Sequence, residues 1–416
     1  MSLEKYFGQP REGTGLNRVF PYAEEPDFPS ANPRFPTAKH NYKPMLDELY
    51  RLIGMVADPG IPGGRLSLTS GTSVTTSDVT GATTVYYVIH GHQFISLWDT
   101  TLKTWFSYPF TPNLPLAVGT TTTLRPHDVF AYIATKTMTG ATNATPIEIT
   151  CTGHGYSTGD CIMISGVKGN YSANGFRKIT STGANTFTIT DLDGNSVAGN
   201  GTYSSGGTAY KVTLEHLVWT NDTTRATALT TQNGVFVKTG ALDRRYLGTF
   251  RTTSTTQTAD AFNTRYLWNL YNQVPRPLLR QETTDTWTYA TTSWRAANND
   301  ATNNAVRAVT GIQGQNFASI HVNSRLIAEQ SEAGGNGIGL NSSTVNSAQL
   351  FDDTTMSIGA GTVSIGTQNK ATLNHYPAVG LTEWYWIEYA RAGTITFAGD
   401  QGIVTTQSGI GGWVMG

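Results

Sequence analysis

The chain has little charge, little cysteine and no long apolar run. Only 14% of its 416 residues are charged, and 28 basic residues nearly balance 29 acidic ones. A nucleic-acid-binding protein needs a basic stripe that displaces phosphate counterions, so no nucleic-acid partner is expected. Apolar runs extend over only a few residues, far fewer than the ~20 that span a bilayer, so we expect no membrane insertion.

Cysteine is almost absent, and small polar residues take up much of the chain. Two cysteines, Cys151 and Cys161, are too few for a disulfide framework, which indicates synthesis in a reducing compartment. The 44 glycines and the abundant threonine, serine and asparagine suit short strands and tight turns. The composition therefore predicts a mainly β protein.

The first 40 residues form a proline-broken arm. Six prolines, Pro10, Pro21, Pro26, Pro29, Pro33 and Pro36, each remove a backbone donor, so neither a helix nor a central strand is expected there. Six aromatic residues precede these prolines or lie between them and lack a core of their own: Tyr6, Phe7, Phe20, Tyr22, Phe28 and Phe35. We expect these six side chains to anchor the arm in an assembly.

One segment has helical periodicity. Apolar residues recur at three- and four-residue spacing over 44–56, Pro44 suits a first turn, and Asp58-Pro59-Gly60 is a stop signal. A helix of about 12–14 residues is marginal alone in water. Its apolar stripe, including Leu49 and Leu52, is therefore expected either at a subunit interface or against the β domain of its own chain.

Beyond Arg65 the period changes to two, as in strands. Strand-like runs on either side of 140–212 would join by a short turn if that segment were removed, which is the pattern of a domain inserted at a loop. The predicted organisation is an arm and helix (1–60), a β body (61–139 with 213–275), an inserted small β-barrel (140–212) and a jelly-roll-like C-terminal β-sandwich (276–416).

The run Trp384–Tyr389 is apolar or aromatic on both faces. A strand that is wet on one side should alternate polar and apolar residues, so we expect a second sheet on one face and a neighbouring subunit on the other. Trp384 and Trp386, with Leu49 and Leu52, are the predicted interface residues of a closed homo-oligomer, most simply a trimer.

Histidine and cysteine offer few candidate sites. His90 and His92, His127 beside Asp128, and a Cys151–His154–Cys161 set are conceivable metal or base sites. A metal site needs three or four convergent ligands, which the sequence does not bring together. A hairpin turn at His90–His92 and buried cysteines are the preferred interpretations, and no metal or cofactor is predicted.

Acidic residues are candidates for two other kinds of site. The Asp191–Asn195 run is similar to a calcium loop but has Thr202 where the twelfth-position glutamate belongs, so a hairpin turn with glycine at positive φ is predicted instead. Glu383, Glu388 and Asp400 are candidates for glycan hydrolysis by paired carboxylates. No β-helix repeat accompanies them, and no catalytic residue is predicted.

The inserted segment resembles a known family. Its motifs are Ile149–Asp160, Ile164–Val167, Ala173–Gly175 and Asn185–Ile189. From about Ile147 to Val212 it is similar to the first catalytic-cysteine half-domain of ubiquitin-activating enzymes, a small β-barrel that also decorates phage structural proteins. The resemblance implies the barrel fold without ubiquitin chemistry.

A second resemblance covers most of 61–280 outside the insertion. Its motifs are Gly64–Gly71, Val218–Ala226, Arg244–Thr249 and Val274–Leu278, with Tyr385–Tyr389 more loosely. They are similar to tailed-phage and prophage virion proteins. The resemblance implies a virion protein and leaves its position in the particle open. We expect a tail fibre or appendage subunit that is assembled in the host cytoplasm, binds portal, adaptor, tail or capsid proteins and contacts host-surface glycans. A capsid-decorating cement protein and a glycan-degrading tail enzyme are the alternatives.

Overall fold

A computed structural model describes residues 55–56, 62–70, 78–89, 94–328, 332–347, 356–357, 365–400, 402 and 407–416. Within these ranges the regular structure consists of strands and two short 3-10 turns, Tyr171–Ala173 and Ala297–Asn299. The predicted mainly β class is confirmed. All six anchoring aromatics, Leu49, Leu52, His90 and His92 lie outside the described residues.

Thirty-one strands follow one another along the described chain. Those up to residue 117 are β1 (Met55–Val56), β2 (Gly64–Ser67), β3 (Val79–Ala82), β4 (Thr84–Ile89), β5 (Phe94–Asp99), β6 (Thr104–Pro109) and β7 (Leu114–Ala117). Those from residue 126 to 269 are β8 (Pro126–Thr137), β9 (Gly140–Ala141), β10 (Glu148–Thr150), β11 (Cys161–Ser165), β12 (Gly175–Ser181), β13 (Thr186–Thr190), β14 (Thr208–Val218), β15 (Leu229–Gln232), β16 (Val235–Lys238), β17 (Ala241–Arg251), β18 (Thr258–Ala261), β19 (Thr264–Arg265) and β20 (Leu267–Asn269).

The C-terminal strands begin at residue 275. They are β21 (Pro275–Gln281), β22 (Thr286–Tyr289), β23 (Arg295–Ala296), β24 (Ala305–Thr310), β25 (Ala318–Ala328), β26 (Ala333–Leu340), β27 (Met356–Ser357), β28 (Ile365–His375), β29 (Gly380–Ala392), β30 (Ile395–Ala398) and β31 (Gly409–Met415). They alternate with turns in which asparagine adopts positive φ, as at Asn298, Asn299 and Asn341.

The predicted helix is wrong at its C-terminal end. Met55 and Val56 form β1, which pairs antiparallel with β6 and places Met55 opposite Phe106. The three-stranded sheet β1-β6-β5 and a second one, β2-β4-β7, enclose a core of buried aliphatic and aromatic side chains together with part of an 11-stranded sheet. Sheet pairing therefore overrides helical periodicity at these two residues.

The 11-stranded sheet is organised around a long hairpin. β8 and β14 pair without interruption from Thr137 opposite Thr208 to His127 opposite Val218. The small barrel formed by β9 to β13 has its own core, centred on Ile149, Ile164 and Phe187, and is inserted between the two hairpin strands. The chain thus enters and leaves the barrel at neighbouring residues.

The barrel also packs against the body. Phe176 of the barrel contacts Phe94 edge-on, with 5.1 Å between ring centroids. Thr111, which follows β6, donates from Oγ1 to the Asp160 carboxylate and accepts from the Cys161 backbone N–H at 3.0 Å. The β5–β6 hairpin therefore covers one side of the barrel.

Two sheets pack face to face in the C-terminal half. One has six strands, β21, β22, β25, β28, β30 and β31, and the other has eight, which include β24, β26 and β29. A shared apolar core lies between them. The eight-stranded sheet also contains β3, β18 and β19, which come from the predicted body range, so this sheet crosses the predicted boundary at 275/276.

Trp384 and Trp386 are not available to a neighbouring subunit. Both are 0% exposed and lie in the core between the two sheets. Trp386 donates from Nε1 to the Asn336 side chain at 2.9 Å, and Trp384 donates to His375 Nε2 at 2.8 Å. The prediction that they are interface residues is wrong, because the chain's own six-stranded sheet covers them.

Candidate functional site

The two residues of the His127–Asp128 pair point to opposite faces of β8 and do not act together. His127 stacks on Phe250, with ring centroids 4.8 Å apart, and its Nδ1 lies 2.9 Å from Nδ1 of His216. Burial, followed by the proximity of His216, lowers the pKa of His127 to about 3. This histidine is a neutral core residue at physiological pH.

Asp128 belongs to a buried ion pair. Its carboxylate accepts from Arg225 Nε at 2.7 Å and from the Thr249 hydroxyl at 2.8 Å. Burial raises the pKa of Asp128, and the arginine opposes that shift. Arg225 also lies over Trp219 and donates to the Gly311 carbonyl. The pair therefore links β8 to the segment that follows β24.

The barrel cysteines are buried thiols in separate environments. Cys151 Sγ lies 3.5 Å from the Thr137 carbonyl, and Cys161 Sγ lies 3.9 Å from that of Gly159. Burial raises the pKa of both thiols. His154 uses Nδ1 to accept from the Tyr156 N–H and Nε2 to contact the Gly183 carbonyl. Among the described residues, no group of three histidine, cysteine or acidic side chains is placed to hold a metal.

The Asp191–Asn195 run forms the expected turn. The Asp191 carboxylate accepts from the Asn195 N–H at 2.8 Å, and Gly194 has a φ of +95°. The carboxylate thus caps its own loop, an arrangement that glycine at this position permits.

The three C-terminal carboxylates do not converge on a cleft. Glu388 is 0% exposed and accepts from Trp287 Nε1 and Arg295, each at 2.6 Å. Glu383 pairs with Arg307 and with the Tyr385 hydroxyl, and Asp400 accepts from the Gly402 N–H. Glu388 is therefore not placed to act on a bound glycan, because its side chain lies in the sandwich interior.

Four ring side chains lie side by side on the outer face of the six-stranded sheet. Tyr376 contacts Phe317 at 5.4 Å between centroids, and Phe317 contacts Trp413 at 5.6 Å. Trp413 lies opposite Pro277 on the next strand. Tyr376 is 62% exposed, Pro277 is exposed, and Phe317 and Trp413 are half-buried. We call these four residues the ring face.

Strand pairing explains why the four rings meet. β25 alternates between buried and half-buried residues throughout its length, and Ile320 and Val322 point into the core. Ser319 on its outer side faces Asn374 of β28 and Trp413 of β31. Side chains of three adjacent strands therefore line one outer face.

The glycines of β31 lie beside the rings, and Gly411 is buried beneath side chains of the neighbouring strands. Gly409 and Gly411 are on the outer side, and a Cβ on Gly411 would lie 3.4 Å from Leu279 and 3.8 Å from His321. Leu279 is 46% exposed, although it is a large apolar residue. Rings, the exposed Leu279 and polar side chains therefore occupy neighbouring positions on this outer face.

Sequence reasoning did not single out this surface. The alternation of apolar and polar residues from Ala318 to Asn323 is a usable signal for a strand with one outer face. The approach of Tyr376 and Trp413 to Phe317 depends on pairing between segments far apart in the chain, which local periodicity does not encode.

Residues 145–213 match the ubiquitin-activating enzyme E1 FCCH domain family. This confirms the resemblance of the inserted barrel that was expected between about Ile147 and Val212. No curated protein matches the chain. Among the described residues, no helix is long and apolar enough to cross a membrane.

Among solved structures, a tryptic core variant of Cry1Da from Bacillus thuringiensis aligns with 9% identity and a TM-score of 0.16. The alignment covers 88% of this chain and 53% of that chain, so this chain spans about half of the length of that structure.

Proposed function

We propose that the chain is a non-catalytic structural subunit of a phage particle, of the tail fibre or appendage type, and that the ring face contacts host-surface glycans. The particle assignment is based on the sequence resemblance to tailed-phage virion proteins that the body motifs suggest. The proline-broken aromatic arm supports attachment to other virion proteins, and low charge supports dense packing in an assembly.

The observation that carries the glycan contact is the exposed ring face on a rigid sheet. Aromatic faces provide a large apolar area with low conformational entropy, and sugar rings offer matching apolar C–H faces. Asn374 is exposed beside the rings, and Ser319 is half-buried there. Amide and hydroxyl groups at such positions can bond to sugar hydroxyls.

A hydrolytic role has less support. A glycosidase needs two carboxyl groups across one glycosidic bond, whereas Glu388 is buried in an ion pair with Arg295. We therefore expect incubation with host polysaccharide to release no reducing ends. Release that is abolished by Glu383→Gln or Asp400→Asn would contradict the non-catalytic proposal.

Location in the particle is tested separately. Gold-labelled antibody against the C-terminal half should decorate the tail region in electron micrographs of intact particles. Labelling distributed over the capsid would support the cement-protein alternative, and unlabelled particles that contain no copy of the chain would overturn the virion assignment.

Glycan contact is tested with purified protein on an array of bacterial surface polysaccharides. Trp413→Ala and Tyr376→Ala should each abolish or strongly reduce binding. Val345→Ala is the matched control, because Val345 is also 62% exposed but lies in the loop after β26. Binding that is unaffected by both ring substitutions would place the contact elsewhere.

A further inference from the structure

We infer that the ring face and the adjoining outer side of β25 and β28 bind a carboxylate-bearing oligosaccharide. Sugar units would stack on Trp413 and Tyr376, and an acidic group farther along would meet Lys370. This inference rests on the glycan contact proposed above and specifies its ligand class.

The first argument is the geometry of the outer face. Lys370 lies opposite Asn323, and Phe317 precedes Asn323 by six positions in the same strand direction. At about 3.3 Å per residue, this separates the rings from the ammonium group by roughly 20 Å along one face. His321, opposite Thr372, and Asn374, opposite Ser319, lie between them. The surface is therefore an elongated track with polar groups along its length.

The second argument is that the described strands of this sheet carry no acidic residue. The six strands of this sheet, all within the described residues, contain no aspartate or glutamate. The neighbouring Glu282 is 7% exposed and is satisfied by Thr284 and Asn304. Asp285 and Asp400 lie in loops at the β22–β30 edge, away from β28. No carboxylate on these strands repels an acidic ligand.

The third argument is the state of Lys370. Its side chain is exposed, and no ion pair involves it among the described residues. Half-buried His321 lies close enough for the lysine charge to act on it. A neutral sugar would partly displace water from the Lys370 ammonium group without supplying a counter-charge, whereas a carboxylate forms a charge-assisted hydrogen bond with it.

The opposite sheet of the sandwich shows a different charge distribution. Glu383 and Glu388 of β29 and Asp260 of β18 all lie on the eight-stranded sheet, and each pairs with an arginine. Acidic residues are thus accommodated elsewhere in the same sandwich. Charge complementarity consequently favours an acidic ligand on the six-stranded sheet.

The test uses ligands that differ only in charge. Oligogalacturonate, alginate and hyaluronan oligosaccharides are each compared with their methyl esters by calorimetry at two salt concentrations with the full-length chain. We expect the acids to bind, the esters to bind at least tenfold more weakly, and added salt to weaken acid binding only.

Variants assign the contacts. Lys370→Gln should weaken acid binding roughly five- to tenfold and leave ester binding unchanged. Trp413→Ala should weaken both. Lys168→Gln, which removes an exposed lysine of the barrel, is the matched control and should change neither.

The outcomes separate the two proposals. The acidic-ligand inference is overturned if acids and esters bind equally, or if Lys370→Gln leaves acid binding unchanged. In either case, binding that still depends on Trp413 supports the glycan contact. Failure of every acid to bind overturns the inference. If the neutral glycans of the array also fail to bind, the glycan contact itself is overturned.

Discussion

His127 and Glu388 are titratable side chains that the fold holds away from water. Each resembles a chemical site in the sequence, and each satisfies buried neighbours in the structure. An unpaired polar group in a core costs about 1–3 kcal/mol, so these residues should affect stability and have no effect on catalysis.

Glu388→Ala should lower the free energy of unfolding by roughly 2–3 kcal/mol, because Arg295 and Trp287 Nε1 would lose their shared acceptor. Arg295 keeps partial access to water, with 28% of its side chain exposed, which limits the loss. Urea denaturation measures it. Glu383→Ala is the comparison, because Glu383 pairs with Arg307 but is more exposed than Glu388. This substitution should lower the free energy of unfolding by less than about 1 kcal/mol. Equal losses would show that burial of Glu388 contributes little.

Stability should fall in mild acid because His127 folds as the neutral imidazole. Its pKa falls from 6.5 in the unfolded chain to about 3. Stabilisation is therefore complete above about pH 6.5 and is lost progressively as the pH falls towards 3. The loss between pH 7 and pH 5 should be about 2 kcal/mol from this residue.

Thermal unfolding at several pH values measures this loss. His127→Gln should give a shallower pH dependence over the same range, although its stability at pH 7 will also be lower. An unchanged slope in the variant would show that His127 is not the group responsible.

At the scale of elements, the β8–β14 hairpin determines where the barrel is inserted. Strand β29 determines where Trp384 and Trp386 lie. The hairpin strands pair as far as Thr137 and Thr208, so a short turn could join them. The barrel, however, covers Phe94 through Phe176.

Replacement of 138–207 by a glycine-containing turn should leave the remaining sheets folded. Exposure of Phe94 should promote association, and Phe94→Ser in the shortened chain should restore a monodisperse protein. Circular dichroism and light scattering report on the two effects. A shortened chain that remains unfolded with Phe94→Ser would mean that the barrel is part of the body core.

Trp386→Phe should lower the free energy of unfolding by about 2–3 kcal/mol, because it removes core volume and the hydrogen bond to Asn336. Trp386→Glu should prevent folding, since it buries an unpaired charge. Denaturant titration and soluble yield are the measurements. A folded Trp386→Glu protein that merely dissociates would restore the original interface interpretation.

At the scale of the whole molecule, assembly remains a prediction based on the N-terminal segment. The anchoring aromatics and the stripe at Leu49 and Leu52 lie outside the described residues. Because Trp384 and Trp386 are buried within the chain, this stripe is the predicted subunit contact of the proposed trimer.

Deletion of residues 1–40 should leave a folded β protein that no longer enters particles, because its aromatic anchors are lost.

Leu49→Asp in the full chain should convert trimers to monomers. Particle incorporation and light scattering measure these effects, with Leu124→Asp as a control at a 45% exposed position after β7. Normal incorporation without the arm, or a monomeric unmodified chain, would contradict the assembly proposal.

Local sequence by itself determined the mainly β class, the strand alternation of segments such as 318–323 and the turn at Asp191–Asn195. These features depend on residue type and near-neighbour spacing. The β1 strand at Met55 shows the limit of such signals, because a partner strand about 50 positions away replaced the expected helix end.

Tertiary structure alone decided what covers Trp386, where Glu388 points and which rings meet Trp413. Pairing joins Pro277 to Trp413 and Trp413 to Ser319 across more than 90 positions. The sheet that covers β29 combines the neighbouring strands β28 and β30 with the distant strands β21 and β22. Local periodicity shows that a strand has two faces. Which face is buried depends on where the second sheet packs, because burial is a property of the packed layers.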